Sequence, residues 1–246
     1  MKFENTRVYG IERALYGMRN PKESYHLSDT EHGIEFIDNI ISGRLSDAVI
    51  LFESNDFCEY IKIGPNDMDL CKRLIKGGSE HRKFLRQIMV SVDITAPLYW
   101  WKEFDTYKVG TVANSTSTMH TIEKNSITID NFEIDDYVDI GWPNEHNHLI
   151  KRELIPYLEF LRKKFLETKN KRYWKELIRW LPESWLQTRT VTMTYENLFA
   201  MCGRGQRRFH KLNEWSGIDD DTLDNFISWA RTLPYAQEFL FIDEIL

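Results

Sequence analysis

The sequence predicts an α+β fold. One segment alternates with the two-residue period of a strand, several others repeat at helical spacing, and the two kinds follow one another in mixed order. Few strands and many helices are expected. With 12 Gly and 7 Pro in 246 residues, the elements are expected to be long and the loops few.

In chain order, Asp47 to Ser54 (DAVILFES) is a short apolar run, strand-like or a buried turn of helix. Asp67 to Ile75 places Met68, Leu70, Cys71, Leu74 and Ile75 at helical spacing, and Gly77-Gly78 stops that helix. The clearest strand follows: Ile88, Val90, Val92 and Ile94 point one way, with Gln87, Met89, Ser91, Asp93 and Thr95 between them. Pro97 ends it and opens an aromatic helix from Leu98 to about Lys108. Thr111 to Thr118 (TVANSTST) is small and hydroxylated, with nothing to bury, and reads as a loop. An acidic stretch then runs to Trp142-Pro143. Leu149 to Phe165 reads as a long helix that Pro156 either kinks or opens. Tyr173 to Trp180 is a shorter amphipathic helix, Thr188 to Met193 is extended, and Tyr195 to Cys202 is helical again. A glycine-punctuated basic stretch runs from Gly203 to His210. A last helix is expected from about Thr222 to Leu233, with Asp221 as its N-cap.

Composition narrows the function classes. The chain is 42% hydrophobic, 28% charged and 13% aromatic, which excludes a disordered chain. Thirty-two Lys+Arg against 38 Asp+Glu leave a net charge of −6, so a nucleic-acid polymer is not the expected partner. No run approaches the ~18 apolar residues of a membrane span, and the opening Met1-Lys2-Phe3-Glu4 begins no signal peptide. Cys58, Cys71 and Cys202 are odd in number and far apart, as reduced thiols of a cytoplasmic protein would be.

Phosphate-loop, dinucleotide-fingerprint, zinc-protease and hydrolase-elbow motifs are absent. Gly203-Arg204-Gly205 follows a helix, not a strand, and fails as a dinucleotide fingerprint. Three constellations remain. From Lys102 to His120, lysines, hydroxyls and Asn114 supply donors suited to phosphate oxygens, although a solvated loop is the commoner use of such a segment. Arg204, Arg207, Arg208, His210 and Lys211 form a cationic group suited to phosphate or carboxylate, or a solvated helix end. Gly77 to Arg82 carries His81 just before the strongest strand, where a structural histidine is commoner than a catalytic one. Neither Glu145-His146-Asn147-His148 nor the acidic group Asp130, Glu133, Asp135, Asp136 and Asp139 has metal-ligand spacing, so no metal is expected.

The ordered set of Glu80-His81, a strand ending Asp93 to Pro97, an aromatic helix, a polar loop, Leu181-Pro182, Leu198, an Arg-rich turn, His210 and Glu214-Trp215 resembles the flavin-dependent thymidylate synthases, the ThyX family. Ala14 and Arg19 extend that resemblance to the N-terminal part, so it spans roughly residues 7 to 240. The loop ending Asn114 to His120 resembles a divergent, phage-type branch. The resemblance implies one ThyX-like domain over residues 1–246, a small antiparallel or mixed sheet flanked by long helices, and a homotetramer. It implies FAD as cofactor and a pyrimidine deoxynucleotide, dUMP, as substrate. Methylenetetrahydrofolate and NADPH would be co-substrates, dTMP the product, and no protein nucleophile would attack the base.

Residue by residue, the resemblance implies a nucleotide site at Lys102, Glu103, Lys108, Ser117, Arg207 and Arg208. It implies FAD contacts at His81, Tyr107, Lys108, Thr111, Asn114 and His210. The family signature R-H-R-x-x-S-x-N-E-x-S-x-R is matched in part. R-H-R falls on Thr106-Tyr107-Lys108, the first serine on Thr111, the amide near Asn114, the last serine on Ser117 and the closing arginine on Met119. The family's Asn-x-Arg falls on Thr194 and Glu196, reversing a charge. Two further readings follow from these departures: a ThyX-fold nucleotide-binding or regulatory protein without synthase activity, and an enzyme acting on another pyrimidine nucleotide or one-carbon donor.

Overall fold

The alternation at residues 87–95 folds as a strand, Met89–Pro97, with Ile88, Val90, Val92 and Ile94 fully buried and the intervening residues half-buried. Branched side chains on one face of a pleat bury efficiently, at roughly 1.5–3 kcal/mol each. In the computed structural model, residues 1–38, 48–134, 149–203, 207–219 and 224–245 are described. Asp47, Asp135 to Asp139, Trp142-Pro143, Glu145 to His148, Arg204, Gly205 and Asp221 to Leu223 lie outside them.

The strands are β1 (Lys2–Tyr9), β2 (Glu31–Phe36), β3 (Val49–Glu53), β4 (Phe57–Lys62), β5 (Met89–Pro97), β6 (Val112–Ser115) and β7 (Leu186–Thr194). One sheet has the order β1-β5-β7-β6 and the other β2-β4-β3. The second is antiparallel throughout, pairing Glu31 with Lys62 and Val49 with Ile61. The helices are α1 (Ile11–Arg19), α2 (Pro65–Lys76), α3 (Leu98–Phe104), α4 (Thr118–Thr121), α5 (Ile155–Thr168), α6 (Lys171–Arg179), α7 (Tyr195–Cys202), α8 (Asn213–Ser216), α9 (Phe226–Arg231) and α10 (Ala236–Phe239).

The α+β class is therefore as expected, with five corrections of detail. Strands are not few: β1, β2 and β4 were not anticipated, because their mostly exposed, mixed-polarity sequences carry no clean alternation. The segment 111–118 is not all loop, since β6 occupies part of it. Its side chains stay in solvent while its continuation bonds through the backbone, from Thr116 N to Thr188 O at 2.9 Å. Long elements are also not the rule, as α4, α8 and α10 have four residues each. The aromatic helix stops at Phe104 and gives way to a 3₁₀ turn, Asp105–Tyr107. Finally, α9 starts later than expected, capped by Asn225, whose side chain accepts from Ser228 N at 2.8 Å.

Other boundaries follow local chemistry. Gly77 caps α2, and Gly78 at φ +95° takes the left-handed turn a side chain would resist. Pro156 opens α5 and does not kink it, a π turn at Leu149–Leu154 leading in. The free N–H groups at the start of α3 find carbonyls: Leu98 N donates to Trp185 O at 3.1 Å and Tyr99 N to Glu183 O at 3.2 Å.

The chain divides into two units. The first comprises Met1, 94–106 and 114–189; the second comprises 2–93, 107–113 and 190–246. The first has a core of Ile122, Ile127, Phe132, Leu158, Leu161 and Leu177, with Trp100, Trp101 and Phe104 also buried. The second buries Ile11, Leu85, Met193, Leu198, Trp215 and Phe226 among others. Cys58, Cys71 and Cys202 are free and buried. Among the described residues, no helix is long and apolar enough to cross a membrane.

Candidate functional site

In the second unit, the 3₁₀ turn ends in Tyr107, and the chain reverses through Lys108 to Thr111. Thr111 donates to Lys108 O from both its backbone N and its hydroxyl, each at 3.1 Å. Gly110 has φ +82°, which glycine adopts without strain. Lys108 is exposed, and its ammonium has no ion pair among the described residues.

Arg207 closes on this turn from 100 residues away. Its Nε donates to the Tyr107 hydroxyl at 3.1 Å, and its guanidinium lies 5.0 Å from the Tyr107 ring and 4.7 Å from that of Trp215. A cation resting against two neighbouring aromatic rings is held without losing its charge. Trp215, which the sequence placed in the ordered motif set without a role in the site, supplies one of the two rings. His210 lies beside it, with ring centroids 6.3 Å apart. Its Nδ1 accepts from Leu212 N at 3.1 Å, so the neutral ring carries its proton on Nε2, as a donor.

Arg208 is placed differently. Its guanidinium bonds Asp243 and Glu244, and Arg231 joins the same cluster through Glu244 at 2.8 and 2.9 Å. The bond from Arg231, with help from Arg208, holds the Glu244 carboxyl down at about 2. Glu196, the position of charge reversal, has a partner: Arg82 Nε reaches both its oxygens at 3.0 and 3.1 Å. Arg82 also stacks on Phe199 at 4.6 Å.

His81 lines a cavity of about 1000 Å³ in the same unit. Leu70, Leu74 and Phe84 give it apolar walls, and Lys22 and Lys83 give it cations with no ion pair among the described residues. Arg73, also in the lining, pairs with Asp69 at 2.9 Å. Arg19 edges the cavity from its buried pair with Asp67. Burial pushes the Asp67 carboxyl up, but bonds from Ser28, Thr30 and Arg19 outweigh it and leave Asp67 below the usual range.

The first unit holds the remaining candidates. Lys102 Nζ donates to Glu183 at 2.6 Å. Glu103 is half-buried, and its backbone carbonyl accepts from Thr106 Oγ1 at 2.8 Å. Asn114 is exposed on β6, while Ser117 leads into α4 and accepts from Thr121 Oγ1 through its carbonyl at 2.8 Å. Arg189 lies 4.2 Å over the Trp101 ring and bonds Asp105 at 3.2 Å. Burial lowers its affinity for the proton.

The structure thus joins Tyr107 to Arg207 and Lys108 to Thr111, and gives Lys102 and Arg208 carboxylate partners. Sequence reasoning named Trp215 and Arg82 within its constellations without the contacts they make, and missed Lys22, Lys83 and Asn197. Of these three, Asn197 had a signal, the capping-box spacing from Thr194.

No family model matches this chain, and no curated protein matches its sequence. Solved structures do. The chain is similar to flavin-dependent thymidylate synthase ThyX from Helicobacter pylori complexed with FAD and dUMP, with TM-score 0.58 and 16% identity over 99% of both chains. A second ThyX structure from Helicobacter pylori with FAD and dUMP gives TM-score 0.59 and 15% identity, over 99% of this chain and 98% of the other. At that identity the likeness establishes the fold, which is ThyX-like along the whole chain.

Proposed function

We propose that this protein binds FAD and a pyrimidine deoxynucleotide and carries out reductive methylation of dUMP to dTMP, with methylenetetrahydrofolate and NADPH as co-substrates. The observation that carries the reading is Arg207, resting against Tyr107 and Trp215 beside the Lys108–Thr111 turn. Two cations on and beside one turn suit a monoester phosphate, since charge-assisted bonds to such oxygens are worth about 1.5–3 kcal/mol each.

The cavity beside His81 fits a flavin cofactor. Its volume is at the upper end of the roughly 300–1000 Å³ of small-molecule sites, Leu70, Leu74 and Phe84 offer apolar contact, and Lys22 and Lys83, in a lining that also holds Asp69 and Glu80, suit a diphosphate. When bound, the flavin would supply the hydride that reduces the transferred one-carbon unit. The chain's own residues bind and orient. Lys108 and Arg207 hold the nucleotide phosphate, and His210, with its proton on Nε2, donates to a carbonyl oxygen.

One observation favours a second reading, a nucleotide-binding protein of the same fold without synthase activity. Glu196 stands where the family carries an arginine, so a carboxylate already paired with Arg82 replaces a cation that an anionic ligand would pair with. One experiment separates the two. Purified protein is reconstituted with FAD, its flavin absorption bands are recorded with and without dUMP, and dTMP is then assayed with both co-substrates. A yellow protein whose spectrum responds to dUMP and which forms dTMP is expected. Nucleotide binding without dTMP selects the second reading, and a protein that takes up neither FAD nor dUMP overturns both.

A further inference from the structure

We infer that Asn197 is a positioning residue that holds the Lys108–Thr111 turn in its ligand-ready form, an inference resting on the phosphate-binding role proposed for that turn. Asn197 is the third residue of α7, and its two amide ends do different work. Its Oδ1 accepts from Thr194 N at 3.0 Å and from the Thr194 hydroxyl at 2.8 Å, completing the capping box of α7. Its Nδ2 points away from the helix and donates to Val109 O at 2.7 Å, across 88 residues of chain.

The turn has little else to anchor it. Val109 is 84% exposed, Lys108 and Gly110 are exposed, and the internal bonds run only from Thr111 to Lys108 O. No apolar side chain at 108–110 packs into the core. A segment without buried anchors keeps one shape only through its hydrogen bonds, and this one comes from the first turn of a helix. Gly110 belongs to the same contact, because a side chain there would stand 3.4 Å from the Asn197 amide. With Val109 O tied down, the directions in which Lys108 and Thr111 leave the backbone are set. Tyr107, which receives the bond from Arg207, is the adjoining residue.

The two ends of the amide can be separated by substitution. Asn197→Asp keeps an acceptor for Thr194 and puts an oxygen against Val109 O, breaking the tie while preserving the cap. Asn197→Ser is a second break, which removes the tie to Val109 O and the acceptor for Thr194 together. Thr194→Val does the reverse, removing the cap hydroxyl and leaving the tie. The readouts are the rate of trypsin cleavage after Lys108, followed by mass spectrometry of the peptide ending there, the melting temperature, and dUMP affinity by calorimetry. Asn197→Asp is expected to speed cleavage at Lys108 about tenfold and weaken dUMP about tenfold with little change in melting temperature, and Asn197→Ser to do the same with a lowered melting temperature. Thr194→Val is expected to lower the melting temperature without speeding that cleavage. Wild-type cleavage rates in both Asn197 variants overturn the inference, as does faster cleavage with dUMP affinity unchanged. Faster cleavage in a protein whose wild type binds no dUMP removes the functional reading and leaves the tie itself demonstrated.

Discussion

Glu196 shows how a single residue changes meaning once its neighbours are known. In the linear chain it is a reversed charge and a lost anion contact; in the folded protein it is one half of an ion pair with Arg82. Arg208 makes the same point from the other side, a cation suited to phosphate that binds Asp243 and Glu244 instead. This C-terminal cluster has a testable acid response. Glu244 sits at about 2 against its ordinary 4.5, so its contribution to stability is complete above pH 4.5 and disappears as pH falls through about 2. Glu244→Gln is expected to melt below the wild type at pH 7, and the gap is expected to close between pH 4.5 and 2. A gap that persists at pH 2 contradicts the assignment. Asp67 offers a sharper test. Arg19→Met leaves its carboxylate buried without a counter-ion, and the expected loss is about 3–5 kcal/mol by urea denaturation, as for other broken buried pairs.

At the scale of elements, what could be read in advance depended on burial. The strand β5 and the helices α2 and α7 have faces packed against a core, so their hydrophobic periods are visible in the chain. β1 and β6 end the order of their sheet, and an edge strand needs only backbone pairing on one side. TVANSTST therefore looks like a loop although part of it is a strand. Capping also decided boundaries: Asn225, not a residue further upstream, starts α9. Asn225→Ala is expected to cost about 1 kcal/mol, measured by urea denaturation, and an unchanged midpoint would contradict that cap. Truncating β5 is expected to cost more. Ile94→Ala should lose about 2–5 kcal/mol, because a fully buried branched side chain leaves a cavity in a packed core.

For the whole molecule, the division into two units passes along β5, β6 and β7, so no cut of the chain separates them without severing strands. One calorimetric unfolding transition is expected, and two resolved transitions would contradict a single ThyX-like domain. FAD at a hundredfold excess over its dissociation constant is expected to add about 2.7 kcal/mol to stability, and an unmoved melting temperature would count against flavin binding. The sequence by itself determined the class, α+β, and the main helices and central strand. Those rest on local period and composition, which each segment carries alone. It also pointed, through ordered motifs, to the ThyX-like fold that the solved structures match. Which partners the cations find within the chain was decided only by tertiary structure. Tyr107 meets Arg207 across 100 residues, Asn197 meets Val109 across 88, and Arg208 meets its carboxylates near the chain's end. A charge's role is set by what lies within a few ångströms of it, and sequence distance carries no record of that.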